Sequence, residues 1–544
     1  MKVVIVGGVA AGTKVAAKLK RENRDHEVII LTKSKEISYA GCGLPYYVGN
    51  IIKDKAQLIV NTPEKFSKLT GAQVFTETEV VGLDRENKSV KAIDLKTNEE
   101  VTFSYDKLVI ATGASPVKPP IEGIDLPGVY FMRTPEDAIN LRADIEAGKI
   151  KRAAVIGAGY IGLEVAENMA LQGVKVSVIE MAPNILTGFD KEFAEYAENK
   201  LADHGIMAFT GTKLEAILGE GKVEKIQTSR RAMKVDAVIM SVGIRPNTTF
   251  LADTGIELMP NGTVKINEYF ETNDADIYSA GDCAMVKNVL TGAPTWSPMG
   301  SSANIEGRIL AQNINGKRIA YRGVVGTAVA KLLPNLNVGR TGLTEVAAKE
   351  AGFNPISVVT VVDDKAHYYA GASNFMIKLI VDKDSLKVLG VQVMGAGAVD
   401  KVVDVVVTAM TMGATLHDLE DLDLAYAPPF STAIHPLVHT VNVLFNKING
   451  NYETITPAEY AAGADEGYKV IDACLVPSIE GAPYVDLPTV NGPLDGYAKD
   501  DKILLICNKG KRAYMVQNRL KYYGHTNVKV LEGGNLFNTI KENN

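Results

Sequence analysis

Cysteine is scarce in this chain, with four among 544 residues, at positions 42, 283, 474 and 507. Thiols so few and so widely spaced do not form a secreted disulfide framework. A reducing, cytoplasmic setting is expected, in which any special cysteine is special for its reactivity. No C-x-x-C pair occurs, and the seven histidines form no H-E-x-x-H, so no metal site is expected. Long apolar runs are missing too: nothing approaches the ~20 uninterrupted apolar residues that span a bilayer. The N-terminus has no charged segment leading into an apolar one and a small-residue cleavage site. MKVVIVGG reads instead as a buried strand entering a turn. An excess of positive charge is also absent. The net charge of −6 argues against a surface built for nucleic acid. Neither a membrane nor a nucleic acid is an expected partner, and there is no solenoid repeat or low-complexity tract. What remains is an ordinary globular composition, 46% hydrophobic and 22% charged, on a chain long enough for three or four domains at ~150 residues each.

The chain opens with KVVIV (2–6), a glycine turn, the helical TKVAAKLKREN and a second strand, HEVIILTK (26–33). This is a βαβ unit. The pattern returns at 152–180, where RAAVIG leads through GAGYIGLEVAENMALQG to VKVSVIE. YDKLVIATGASP (105–116), VDAVIMSVGIRPNT (235–248) and IYSAGDC (277–283) are further strands ending in small-residue turns. From about 325 to 445 the texture becomes α+β, with several strands followed by helices. NKINGNYETITP (446–457) is polar and turn-rich and reads as a linker. Beyond it, KVIDACLV and ILLICNKG read as strands, the second followed by a helix.

The second glycine loop is an intact G-x-G-x-x-G, with Gly157, Gly159 and Gly162 around Tyr160 and Ile161. The first glycine permits the turn, the second admits a pyrophosphate and the third lets helix and strand pack closely. Glu180 ends the next strand, where an acid bonds a ribose 2′-hydroxyl and repels a 2′-phosphate. Met181 follows it, with no adjoining arginine. NADH is therefore expected in preference to NADPH. The first loop, with Gly7, Gly8, Ala11 and Gly12, is less regular, because Val9 stands at the second glycine position and Thr32 and Lys33 end the strand where an acid belongs. Asp282, just after Gly281, is placed to bond a ribityl hydroxyl of a flavin. Thr112 and Gly113 form a similar turn.

Cys42 lies in SYAGCGLPYY, between Gly41 and Gly43, which leave its sulfur open to approach. A following helix start is expected to lower its pKa and favour the thiolate. Position 37 is Ile, so a C-x4-C disulfide is impossible and the second sulfur must come from the substrate. Cys283 and Cys474 read as small buried hydrophobes.

The order GGVAAG, SYAGCGLPYY, ATGASP, GAGYIGLE, SVGIRPN, IYSAGDC resembles the flavin-dependent pyridine nucleotide–disulfide oxidoreductases. Within them it is most similar to the coenzyme A–disulfide reductase branch, which has a single redox cysteine and an A-Y-A-P-P-[FY]-S segment, here Ala425 to Ser431. The resemblance implies an α/β chain with two Rossmann-like domains. FAD would be bound by 1–120 and 250–325, and the nicotinamide nucleotide by 121–249, including Gly243. A dimerisation domain at 326–445 would make a homodimer. It further implies that Cys42 cycles beside the flavin between thiolate and a mixed disulfide or persulfide, that Lys14, Lys18 and Arg21 hold the nucleotide end of coenzyme A, and that Ser38 and Gly41 lie near its thiol end. Tyr368 and Tyr426 match two tyrosines that act from the partner subunit, where a phenol donates a proton to the departing thiolate. Position 435 is His where the family often has Asp, and no role is assigned to it. Residues 458–544 resemble a rhodanese domain: CNKGKR fits C-x-x-G-x-R, whose inward-pointing backbone N–H groups stabilise a thiolate or persulfide on Cys507. Lys509, Lys511 and Arg512 add positive charge there, and LEGG (531–534) belongs to the same resemblance.

Together these features predict an NADH-dependent reductase of coenzyme A persulfide, polysulfide or coenzyme A disulfide, with Cys507 handling sulfane sulfur. An NADH oxidase or peroxidase cycling Cys42 through sulfenic acid is the nearest alternative, although such relatives carry a histidine in the first glycine loop, where Val9 and Ala10 stand here. A persulfide sensor or sulfur-relay protein is the alternative from another class.

Overall fold

The computed structural model describes residues 1–540. The chain forms two compact units, one of residues 1–183 and 205–324, the other of 184–204 and 325 onward. No described helix is long and apolar enough to cross a membrane.

The first unit holds two five-stranded parallel sheets. In one, strand Lys2–Val6 lies between Glu27–Leu31 and Lys107–Ile110, with Gln73–Phe75 and Ile277–Ser279 outside them. Its central strands read as unbroken β-branched runs because both faces are covered: Val3, Val4 and Ile5 are wholly buried. Helix Ala10–Glu22 buries Ala11, Val15, Ala16 and Leu19. The turn before it works only with glycine. Gly7 has φ +118°, and a Cβ on Gly12 would stand 1.9 Å from the Gly7 carbonyl oxygen. The second sheet runs Met207–Phe209, Lys175–Ile179, Arg152–Ile156, Ala237–Met240, Val129–Tyr130, all parallel. In each sheet the strand ends carrying the glycine loops meet at the crevice where such folds bind ligands.

The second unit contains a five-stranded antiparallel sheet, Ala328–Leu333, Leu336–Gly342, Val388–Gly395, Asn374–Asp382, Pro355–Asp363. Helices Val399–Met412 and Pro436–Ile448 pack on it. A four-stranded parallel sheet follows, in the order Thr454–Ile455, Val528–Leu531, Ile503–Ile506, Lys469–Asp472. The stretch read as a linker is largely structured. It holds the last turn of helix Pro436–Ile448 and then strand Thr454–Ile455, which pairs with Val530 and Leu531. Its polar composition comes from the turn at Asn449–Asn451, and a two-residue strand leaves no periodicity to read. The two sheets are joined by the wholly buried Glu532. Its carboxylate accepts from the Val359 amide (2.8 Å), Lys447 Nζ (2.6 Å) and Thr454 Oγ1 (2.7 Å).

Candidate functional site

The Cys42 turn is built onto the first glycine loop. The Ser38 amide donates to the Gly8 carbonyl at 2.9 Å, with Ser38 itself at φ 49°. Ile37, wholly buried, packs so closely that a Cβ on Gly8 would meet its Cγ2 at 2.9 Å. Gly41–Gly43 make one tight turn and helix Leu44–Val48 follows. Cys42 is exposed, whereas Cys283, Cys474 and Cys507 are buried. The expected lowering of its pKa is not what the surroundings produce. Partial burial pushes the Cys42 thiol up, and the Glu164 and Asp282 carboxylates push the same way against the Arg133 guanidinium. A helix of five residues brings too little dipole to offset two carboxylates.

Two of these groups were invisible to sequence reasoning. Glu164 accepts from the Tyr46 hydroxyl at 2.9 Å, and Arg133 Nη2 donates to Asp282 Oδ2 at 3.1 Å. Their partners lie more than a hundred residues away in the chain, so no local pattern marks them.

Around this turn the residues fit a dinucleotide. Thr112 Oγ1 is buried without a hydrogen-bond partner. Gly113 and Gly281 hold left-handed φ values of +65° and +82°, leaving backbone rather than side chain at the crevice beside Asp282. Thr32 is buried, packed under Gly8. The second loop divides its glycine roles as the motif requires. A Cβ on Gly157 would sit 2.3 Å from the Ser241 carbonyl and one on Gly162 2.1 Å from that of Gly157, while Gly159 faces open space. Tyr160 and Ile161 begin helix Tyr160–Leu171, and Gly243, at φ +106°, also faces open space. Glu180 follows its strand as expected, but both its oxygens accept backbone amides, from Ala158 and Ala182 at 2.7 Å each.

Lys14, Lys18 and Arg21 share one face of helix Ala10–Glu22. Lys18 is paired with Glu22 at 2.8 Å, and Lys317 meets the same carboxylate. These contacts hold the Glu22 carboxyl down to about 2. Lys14 has no ion pair among the described residues.

In the second unit the structure brings Tyr368 and Tyr426 together. Both are exposed, and the Tyr368 hydroxyl pushes the Tyr426 phenol up. Tyr426 and His435 line a cavity of about 550 Å³ with Lys365, Lys401 and Phe430. The structure also gives His435 a job. Its Nδ1 accepts the Leu437 amide and caps helix Pro436–Ile448, and burial with Lys401 nearby lowers the imidazole to about 4, keeping it neutral.

The Cys507 loop lies between strand Ile503–Ile506 and helix Lys511–Tyr522. Cys507 Sγ accepts the Ala513 amide at 3.4 Å. Gly534 of LEGG underlies the loop so closely that a Cβ would stand 1.9 Å from the Cys507 carbonyl oxygen. Two of the three cations expected to add positive charge to this loop are paired with aspartates. Lys509 pairs with Asp363 at 2.8 Å, and Arg512 bonds Asp486 (2.7 Å) and the Ala473 carbonyl (3.2 Å). Lys511 is exposed with no ion pair among the described residues. Cys474 is wholly buried, with its thiol raised to about 12 by burial and by Asp472. Cys283 is likewise wholly buried, in the core of the first unit.

Glu306 is a further group missed in the sequence. It lies on helix Gly300–Ile314, is 1% exposed and accepts the Gly281 amide at 2.7 Å. Burial raises its carboxyl to about 7, with Asp282 adding to the rise. The folded chain therefore holds this proton where the unfolded chain releases it. Glu306 contributes its full share of stability below the ordinary carboxyl range and loses it as pH rises to about 7. Glu306→Gln keeps an acceptor for Gly281 and does not titrate. Its stability relative to wild type should improve between pH 5 and pH 8, by up to about 3 kcal/mol. Denaturant melts at the two pH values check this.

The fold and these loops define a two-dinucleotide oxidoreductase with one accessible thiol, and the chain belongs to the pyridine nucleotide-disulphide oxidoreductases, whose family model matches residues 1–302. The dimerisation-domain model of that family matches 332–438 and a rhodanese-like domain matches 456–536. The chain is 36% identical to an NADH oxidase of Methanocaldococcus jannaschii over 80% of its own length and 97% of that protein. It is 35% identical to an NAD(P)H coenzyme A polysulfide/persulfide reductase of Pyrococcus horikoshii, over 81% and 98%. A solved NAD-dependent persulfide reductase from A. fulgidus superposes with a TM-score of 0.93 at 35% identity, covering 99% of this chain and 100% of that one.

Proposed function

We propose that the chain uses NADH to reduce the sulfur–sulfur bond of coenzyme A persulfide, polysulfide or coenzyme A disulfide through Cys42, in the cytoplasm and as a homodimer. The observation that carries this is the lone exposed thiol: Cys42 is open while the other three cysteines are buried, and Ile37 fills the place of a resolving cysteine. The second sulfur then belongs to the substrate. FAD, when bound along Gly7, Gly8, Ala11, Gly12, Thr112, Gly113, Gly281 and Asp282, supplies the two-electron link between nicotinamide and sulfur.

The Cys42 thiolate attacks the outer sulfur of a coenzyme A persulfide, forming Cys42–S–SH and releasing the coenzyme A thiol. Two electrons then cleave the new bond to hydrosulfide and the Cys42 thiolate. In the other order, attack on the inner sulfur expels hydrosulfide first and leaves a Cys42–coenzyme A disulfide, which the same two electrons open. Arg133 offers positive charge close to the thiolate. Tyr426, paired with Tyr368, donates the proton to the departing thiolate across the dimer. Lys14, Lys18 and Arg21 meet the phosphates of coenzyme A, while Ser38 and Gly41 border its thiol end. Glu180 takes the adenosine ribose of NADH, between Gly157–Gly162 and Gly243. Cys507 carries sulfane sulfur in a loop that Arg512 borders and braces through Asp486.

The test is anaerobic NADH oxidation with each of the three sulfur substrates, set against oxidation by oxygen alone. Coenzyme A persulfide should give the fastest turnover. Turnover with oxygen matching it would establish the oxidase reading, which the name of the Methanocaldococcus relative favours. Cys507→Ser should lose transfer of sulfur from a sulfane donor to an acceptor thiol while still reducing coenzyme A persulfide. Undiminished transfer in that variant would remove Cys507 from the scheme.

A further inference from the structure

The segment before strand Thr454–Ile455 carries a tyrosine that reaches under the Cys507 loop. Tyr452 lies outside the stretch that matches a rhodanese-like domain, which begins at residue 456. Its backbone is fixed on both sides. The Tyr452 amide donates to the Asn446 carbonyl at 3.0 Å, in the last turn of helix Pro436–Ile448. The next residue, Glu453, accepts from Gln517 Nε2 at its carbonyl and from Lys521 Nζ at its carboxylate, at 2.7 Å each. The Tyr452 side chain is 4% exposed, and its ring stands edge-on to Tyr514 of helix Lys511–Tyr522 at 5.2 Å. The hydroxyl lies against Gly510, the glycine of C-x-x-G-x-R. A Cβ on Gly510 would meet it at 3.5 Å, ahead of the Gly533 amide nitrogen and the Leu531 carbonyl oxygen at 3.9 Å. Among the described residues this hydroxyl makes no hydrogen bond, although a phenol sealed in a core ordinarily finds an acceptor. Cys507 Sγ already has the Ala513 amide, and Lys509 and Arg512 are paired with aspartates.

We propose that the Tyr452 hydroxyl donates a hydrogen bond to the outer sulfur of a Cys507 persulfide, so that a residue from outside the rhodanese-like domain completes the sulfur cradle. The added sulfur lies one S–S bond, about 2.05 Å, beyond Sγ, and it bears the negative charge once the persulfide ionises. A neutral phenol facing an anion is a strong, charge-assisted donor. Burial first, then the charges of Glu532, Cys507 and Tyr514, push the phenol well above its ordinary value, so it keeps its proton. This rests on the reading of Cys507 as a carrier of sulfane sulfur and adds a catalytic residue to it.

Thiosulfate is the probe, on full-length Cys42→Ser, where Cys507 is the one remaining cysteine that is not wholly buried. The Cys507 thiolate attacks the outer sulfur of thiosulfate, forms the Sγ–S bond and expels sulfite. Alkylation by iodoacetamide, followed by mass spectrometry against pH, then reports ionisation of the outer sulfur in loaded protein and of Sγ in unloaded protein. Tyr452→Phe keeps the ring against Tyr514 and loses only the hydroxyl. In that variant the loaded midpoint should rise by about 1 pH unit, a roughly tenfold smaller anion fraction below the midpoint, the scale of one charge-assisted hydrogen bond. The unloaded midpoint should move far less, because the Ala513 amide serves Sγ. Equal movement of the two midpoints, as from a loop that has merely shifted, or no movement of the loaded one, overturns the bond. A Cys42→Ser protein whose Cys507 takes no sulfur from thiosulfate overturns the carrier reading and the bond with it.

Discussion

Cys42→Ser should abolish sulfur-dependent NADH oxidation, with kcat falling on the order of a thousandfold or more for every sulfur substrate. The hydroxyl is nearly isosteric with the thiol but does not ionise near neutral pH and does not form a sulfur–sulfur bond. The informative readout is the ratio of sulfur-dependent to dye-dependent turnover. A dye takes electrons without passing through Cys42, so a loss confined to that ratio isolates the thiol step, and full sulfur activity in the variant would refute the mechanism. The setting of the thiol adds a pH test. Burial, Glu164 and Asp282 hold it above its ordinary value of 9.0. The reactive thiolate fraction therefore grows as pH rises, and kcat/KM, which reports the free enzyme, should still be climbing beyond pH 8. Glu164→Gln removes one of the carboxylates and should move that limb to lower pH. A limb that stays in place would mean that Glu164 does not act on the sulfur.

What the sequence revealed and what it hid divide along contact range. The roles of Gly157, Gly159 and Gly162 are local, since strand, turn and helix lie within a dozen residues, and each glycine proved to be where a Cβ would collide or where space is left open. Cys42 was legible for the same reason. The direction of its pKa was not, because the carboxylates that set it come from positions 164 and 282. Glu180 stood where the spacing put it, but the amides that engage it belong to geometry. Lys509 and Arg512 looked like free positive charge next to Cys507. Each is partly spent on an aspartate that only the fold brings near, Asp363 for one and Asp486 for the other. NFMIKLIVD would ordinarily place its lysine in solvent. Yet that strand lies inside a sheet covered on both faces, and Lys378 is 2% exposed.

That lysine supports the other large expected effect. Lys378 sits on strand Asn374–Asp382, which is paired along both edges. Its Nζ lies 2.6 Å from Glu192, 2.6 Å from Glu345 and 3.0 Å from Asp190. Burial favours the neutral amine, but the three carboxylates outweigh it and hold the ammonium well above the ordinary lysine range. Asp190 is engaged further by Gln392, at 2.6 Å, so these acids have little freedom to turn toward water. Lys378→Met fills nearly the same volume and leaves three crowded carboxylates with no cation. The cost should be about 3–5 kcal/mol, as when one partner of a buried ion pair is removed. Protonation relieves the repulsion, so the loss should be largest near pH 8 and shrink toward pH 5. In the variant the three carboxylates, whose oxygens lie within 4.8 Å of one another, should draw in calcium, and millimolar calcium should restore part of the stability. Wild type, with the ammonium in that place, should not respond. Guanidinium melts at both pH values, with and without calcium, decide the matter. A variant as stable as wild type at pH 8 would mean that the cluster is held by the fold and contributes nothing to holding it.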